Sequence, residues 1–148
     1  MVTALYVDTS AVVSAYLADE VDHHELRALL FEGEHIVLTS ELTRVEFASA
    51  IKAAKRQGRI PDAAEFLAQF DEDTEEGMLN LIPLAPHRIM PRARRVVLGD
   101  QPVRTLDAIH LAVAMNDAVS LVGGAPVVLV TRDQRQAEAA KAHGIETR

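Results

Sequence analysis

Four acidic residues stand where a carboxylate is unusual in a purely structural role. Two come at the ends of short apolar runs and two interrupt apolar helical segments; they are Asp8, Asp133, Glu46 and Asp107. Carboxylates gathered in one pocket repel each other unless a cation lies among them. Hard divalent cations such as Mg²⁺ and Mn²⁺ prefer oxygen ligands of this kind. The four acids therefore predict a carboxylate-rich site for a divalent cation.

Glu46 has the weakest structural explanation of the four. A helical step of about 100° per residue places it between Leu42 and Ala50, on the apolar side of a helix predicted over 41–57. A buried carboxylate is costly without a partner, so this one either faces a site or pairs with a buried arginine. We favour the site.

The other acids have respectable structural alternatives. Asp8 and Asp133 could each cap the helix that follows, and Asp107 could gain from the dipole of the helix that it opens. His110, one turn after Asp107, is expected to be a core histidine bonded to a backbone group rather than a catalytic base. Each alternative explains one acid, whereas a shared pocket explains all four.

Short apolar runs alternate with helical patterns along the chain. Strands are predicted over 4–7, 35–39 and 126–131, with extended pieces over 81–84 and 145–147. Helices are predicted over 10–18, 23–32, 41–57, 61–77, 88–98, 105–118 and from Asp133 to about residue 143. This alternation indicates an α/β fold with a mainly parallel sheet. Ligands bind beyond the carboxyl ends of such strands, where two of the acids lie.

Several helix ends carry recognisable signals. Ser40 is expected to cap the helix over 41–57, and Pro61 and Pro91 are expected in the first turns of their helices. Asp133 and Gln136 have the spacing of a capping box, which predicts that both side chains satisfy backbone groups at the start of the last helix.

Composition bounds the possible functions. The 148 residues fit a single domain, 1–148, and the chain contains no cysteine, which excludes disulfides and thiolate metal sites. No apolar run approaches the roughly 20 residues needed to span a bilayer, so we expect a cytoplasmic protein without membrane contact. The net charge of −7 argues against general coating of nucleic acid. Two basic clusters are better explained, each by itself, as solvated helix faces, although either could hold a phosphate backbone. They are Lys52, Lys55, Arg56 and Arg59, and Arg88, Arg92, Arg94, Arg95 and Arg104.

The acid-bearing segments resemble those of a known family in order and spacing. These segments are 6–11 (YVDTSA), 44–47 (RVEF), 106–112 (LDAIHLA) and 130–133 (VTRD). Together they resemble the motifs of PIN-domain ribonucleases, and in particular the toxins of VapBC toxin–antitoxin pairs, across essentially the whole chain. One departure is that the aromatic residue often found just downstream of the last motif is absent after 133–135 (DQR).

The resemblance implies a PIN-like three-layer α/β/α sandwich with a central, mainly parallel sheet. It implies an endoribonuclease that depends on Mg²⁺, with Mn²⁺ as an alternative, and that acts as the toxin of the pair. It also implies a homodimer and a VapB-like antitoxin, whose C-terminal segment would cross the helical hairpin and block the pocket. The catalytic and metal-binding residues would be Asp8, Glu46, Asp107 and Asp133, with Asp8 and Asp107 nearest the metal, and Thr9, Ser10 and Thr131 would orient ligands or phosphate.

Other classes fit the sequence less well. A phosphatase of the haloacid dehalogenase type needs a second acid where this chain has Ser10. A phosphoreceiver module needs adjacent acids after the first strand and a lysine at a late strand end, where this chain has Thr131 and Arg132. A catalytically inactive PIN-like module that binds RNA or protein stays open, because the acids alone do not prove catalysis.

Overall fold

The computed structural model describes residues 3–148, and its centre is a sheet of four parallel strands. The strands are β1 (Ala4–Val7), β2 (Ile36–Ser40), β3 (Asn80–Ile82) and β4 (Val127–Val130). Their spatial order is β3-β2-β1-β4, so β1 and β2 are central. All residues of β1 and β4 are buried. Continuous apolar runs of this kind are expected where helices cover both faces of a parallel sheet.

Helices connect and cover the strands. They are α1 (Thr9–Tyr16), α2 (His23–Arg27), α3 (Leu42–Arg56), α4 (Ala64–Glu75), α5 (Pro86–Val97), α6 (Thr105–Val113), α7 (Val119–Leu121) and α8 (Gln134–Ala142). A π-helical segment, Ala28–Glu32, continues α2, and another, Ala114–Ala118, joins α6 to α7. None of the described helices is long and apolar enough to cross a membrane.

The side chains of β1 divide the core into two layers. Leu5 and Val7 join a cluster with residues of α1, α3 and α4, whereas Tyr6 packs on the opposite face with residues of α5, α6 and α8. This alternation follows from the two-residue period of a strand. The predicted α/β/α sandwich is therefore confirmed.

The strand register fixes where the acidic edge of the sheet lies. Val7 of β1 lies opposite Val130 of β4. Because the two strands are parallel, Asp8 and Thr131 leave the sheet side by side at the same edge.

Two proline assignments are wrong. Pro61 lies outside its helix, because α4 begins only at Ala64, where the Asp62 carboxylate accepts a hydrogen bond from the Ala64 amide at 3.1 Å. In α5 the first-turn proline is Pro86, and Pro91 lies inside the helix. Pro86 is suited to the first position because an amide hydrogen there would have no helical partner.

Candidate active site

The four acids line one cleft of about 490 Å³ at the carboxyl edge of the sheet. Asp8 follows β1 and Asp133 precedes α8, while Glu46 lies in α3 and Asp107 in the first turn of α6. Four elements that are distant in sequence thus bring the predicted residues to one place.

Asp8 is both a helix cap and a wall of the cleft. Its side chain is almost fully buried, and its Oδ1 accepts hydrogen bonds from the Ser10 hydroxyl at 2.6 Å and the Ala11 amide at 3.1 Å. Its Oδ2 accepts one from the Thr131 hydroxyl at 2.5 Å. Burial raises the pKa of Asp8, although these hydrogen bonds act in the opposite direction. Asp8 therefore caps α1 and also lines the cleft.

The negative charge of Asp133 acts on the neighbouring Asp107. Asp133 caps α8, since its Oδ1 accepts hydrogen bonds from the amides of Arg135 at 2.9 Å and Gln136 at 3.2 Å. The pKa of Asp107 is raised, first by burial and then by the negative charges of Asp133 and Asp8. Asp107 is thus close enough to the other two carboxylates to be repelled by both, and a cation beside it would relieve that repulsion.

Glu46 is paired, but with a histidine rather than the arginine considered as its structural alternative. Its Oε1 accepts a hydrogen bond from His110 Nε2 at 2.6 Å and another from the Thr9 hydroxyl at 2.9 Å. Burial alone would raise the pKa of Glu46, but the hydrogen bond and charge of His110 and the bond from Thr9 together hold it below its ordinary value. Glu46 is thereby kept ionised at the rim of the cleft.

His110 is a core histidine, as expected, but its partners are side chains rather than backbone groups. Its Nδ1 lies 2.7 Å from the hydroxyl of Tyr6, on the central strand. Nε2 donates to Glu46 and Nδ1 faces the Tyr6 hydroxyl, so both ring nitrogens have a hydrogen-bond partner. Tyr6 could not be singled out from the sequence, because a tyrosine in a buried strand looks like an ordinary core residue.

The three hydroxyl residues singled out from the sequence each contact an acid. Thr9 donates to Glu46, and Ser10 and Thr131 donate to Asp8. They thereby help to fix the positions of Glu46 and Asp8.

Gln136 does not complete the predicted capping box. Its buried side chain turns away from the Asp133 backbone towards Asp8 and Asp107. The amide can be placed in two orientations. In one, its nitrogen donates only to the Asp107 backbone oxygen at 3.4 Å; in the other, which we assign because it satisfies both carboxylates, it donates to Asp8 Oδ2 at 2.6 Å and to Asp107 Oδ1 at 3.3 Å. Sequence reasoning missed this role, because the capping-box spacing offered Gln136 a local partner.

The donors suit a hard divalent cation in chemistry. Within residues 3–148, no three His, Asp or Glu side chains converge tightly enough to enclose an ion by themselves. Mg²⁺ does not require such a cage, because it keeps several waters and is commonly bound through one or two carboxylates. The carboxylates of Asp8 and Asp107, which one amide group can bridge, fit this mode of binding.

Comparison with known proteins places the chain in a family. The PIN domain family model matches residues 5–142. The chain is 33% identical over 140 residues to Ribonuclease VapC35 of Mycobacterium tuberculosis, in strains CDC 1551 / Oshkosh and H37Rv, covering 93% of this chain and 90% of the relative. It also has the fold of a chain in a toxin–antitoxin complex from Klebsiella pneumoniae, with a TM-score of 0.54, 18% identity, and coverage of 91% and 90% of the two chains. The chain with this four-acid cleft therefore belongs to the PIN-domain family.

Proposed function

We propose that this protein is a Mg²⁺-dependent endoribonuclease and the toxin of a toxin–antitoxin pair. The observation that carries the proposal is the meeting of Asp8, Glu46, Asp107 and Asp133 in one cleft. The similarity to a VapC ribonuclease supports RNA as the substrate.

Asp8 and Asp107 would hold the cation most directly, with Glu46 and Asp133 completing the site. The raised pKa of Asp107 supports this arrangement, since neighbouring negative charges contribute to it. When bound, a divalent cation supplies charge neutralisation and polarises the phosphodiester and the attacking water. Mn²⁺ would serve in place of Mg²⁺, because both ions prefer oxygen ligands.

Glu46 would accept a proton from the attacking water. Its carboxylate is held in place by His110 and Thr9, and its lowered pKa keeps it ionised. A carboxylate fixed in this way can act as a general base when the water lies within hydrogen-bond distance.

The RNA backbone would leave the cleft past Asp133. A second groove of about 510 Å³ begins at Ser10 and Asp133 and is lined by Arg104 and Arg135. Arginines at this position can hold phosphates without reading the bases. Part of the basic surface expected from the sequence has other partners, because Arg59 pairs with Asp19 and Glu20, and Arg88 with Asp117.

Cleavage of single-stranded RNA by the purified protein tests this proposal. We expect cleavage with Mg²⁺ or Mn²⁺, none with excess chelator, and none from Asp8→Ala or Asp107→Ala at either metal. Asp100→Ala, which removes an exposed acid outside the cleft, serves as the matched control and should cleave like the wild type. Wild-type rates in chelator, or in Asp107→Ala, would contradict the metal mechanism. A folded wild-type protein that cleaves no RNA with either metal would favour an inactive binding module.

The partner would be a small VapB-like antitoxin whose C-terminal segment crosses α3 and α4 and covers the cleft, on a homodimer of this chain. The fold shared with a chain of a toxin–antitoxin complex supports a partner of this kind. Co-expression with the product of a small neighbouring open reading frame should restore growth and give a complex with reduced RNA cleavage. Its elution volume, with and without the partner, would give the assembly.

A further inference from the structure

Gln136 is a buried polar residue in the first turn of α8. It is 1% exposed, although Gln134, two positions earlier, is exposed. Buried amide groups require hydrogen-bond partners. The partners of Gln136 are the carboxylates of Asp8 and Asp107, which come from two other elements of the fold.

The amide reaches these acids from the interior of the protein. Asp8 and Asp107 both line the cleft, whereas Gln136 does not. Its contact with Asp8 is 2.6 Å and that with Asp107 is 3.3 Å, so one planar NH₂ group serves both carboxylates.

Gln136 differs from the other donors to Asp8 in what it connects. Ser10, Ala11 and Thr131 also donate to Asp8, and these three lie next to it on the chain or beside it across the sheet. Of the four donors, Gln136 is the one that also bonds Asp107, on α6. It therefore sets the position of one acid relative to the other.

We propose that Gln136 is a positioning residue that holds Asp8 and Asp107 from behind, at the separation at which they bind a divalent cation. The inference rests on the proposed function, because it assigns the cation to these two acids. Residues that hydrogen-bond metal-binding carboxylates from outside the ligand set commonly change metal affinity by about 10–100-fold when they are replaced.

Binding of Mn²⁺ alone, measured by calorimetry on the full chain without RNA, tests this role. Gln136→Leu keeps the approximate size of the side chain and removes its donor. We expect its Kd for Mn²⁺ to rise by about 10–100-fold, whereas Gln134→Leu, an exposed glutamine of the same helix turn, should bind like the wild type. In RNA cleavage, the Mn²⁺ concentration for half-maximal rate should rise by the same factor, while the rate at saturating Mn²⁺ stays close to that of the wild type.

Gln136→Glu provides a second measurement if Gln136→Leu folds poorly. It aims a third carboxylate at Asp8 and Asp107, so it should melt below the wild type in chelator and gain more than the wild type in melting temperature when Mn²⁺ is added. Equal gains for the two proteins would count against the proposal.

The outcomes separate the two proposals. A wild-type protein that binds no Mn²⁺ overturns the metal-dependent function together with this inference. A wild-type protein that binds Mn²⁺, with Gln136→Leu binding it equally well, overturns the inference alone. A lower melting temperature of Gln136→Leu without a change in Mn²⁺ affinity would mean that Gln136 only supports the fold.

Discussion

The two tyrosines of the chain both belong to buried hydrogen-bond networks. One network reaches the cleft and the other does not. Tyr6 is bonded to His110, which is bonded to Glu46 at the cleft. Tyr16, on the other side of the sheet, donates to Asp73 of α4 at 2.5 Å, and Gln69 donates to the same carboxylate at 2.9 Å.

Burial of an acid does not by itself mark a site. Asp73 is 8% exposed, yet it joins α4 to α1 and does not line the cleft. Glu46 is more exposed, with a quarter of its side chain accessible, and it lies beside other acids. The two carboxylates differ in their neighbours. Asp73 accepts hydrogen bonds from neutral donors, whereas Glu46 lines a cleft that contains further carboxylates.

Among variants that test this difference between the two networks, His110→Ala is expected to have the largest effect. The change removes the hydrogen-bond partner of both Glu46 and Tyr6, so we expect the rate of RNA cleavage to fall by about 10–100-fold, as for other supporting residues of metal sites. Initial rates at excess RNA, corrected for the folded fraction, measure it. A wild-type rate would mean that the Tyr6 network is as purely structural as that of Tyr16.

Asp73→Ala should show the opposite pattern. Without the carboxylate, the buried hydroxyl of Tyr16 loses its acceptor, which should lower the free energy of unfolding by about 1–3 kcal/mol. Urea denaturation gives this value, and the cleavage rate per folded molecule should stay unchanged. A loss of activity in the folded variant would show that the two networks communicate.

The smallest effect is expected on stability at alkaline pH, where both tyrosines should lower the stability of the fold in the same way. Burial raises the pKa of both tyrosines, followed by the charge of Asp8 at Tyr6 and the bond to Asp73 at Tyr16. The unfolded chain releases these protons near pH 10 and the folded chain only at higher pH. Stability from this source is therefore complete below about pH 10 and is lost as the pH rises further.

Tyr6→Phe and Tyr16→Phe should each remove part of this alkaline loss. Urea midpoints measured from about pH 8 to pH 11 would reveal it as a shallower decline than in the wild type. If both variants follow the wild-type curve, deprotonation of the tyrosines does not govern alkaline stability.

The sequence predicted the sheet and the edge at which the acids gather. Apolar runs that end near Asp8 and Asp133 carry that information, because the carboxyl ends of parallel strands share one edge. The periodicity of α3 also placed Glu46 on the inward side. These features depend on patterns within a few residues of each acid.

Partners across the fold could not be predicted in the same way. Periodicity shows which side of α3 is buried, but not that His110, 64 residues away, meets Glu46 there. Similarly, the spacing from Asp133 to Gln136 fits a capping box equally well whether or not α6 offers other acceptors. The direction of the Gln136 side chain depends on where the first turn of α6 packs.

The pairing of β1 with β4 also determines when the cleft can form during synthesis of the chain. Thr131 bonds an acid that lies 123 positions earlier in the chain, and Gln136 bonds that same acid. A nascent chain that has not emerged from the ribosome beyond residue 136 lacks these two donors, so Asp8 is then held only by Ser10 and Ala11. Contacts between residues so far apart in sequence slow folding, because closing the intervening loop costs entropy. The cleft of a chain still being synthesised would accordingly stay incomplete until β4 has paired with β1 and α8 has packed beside it.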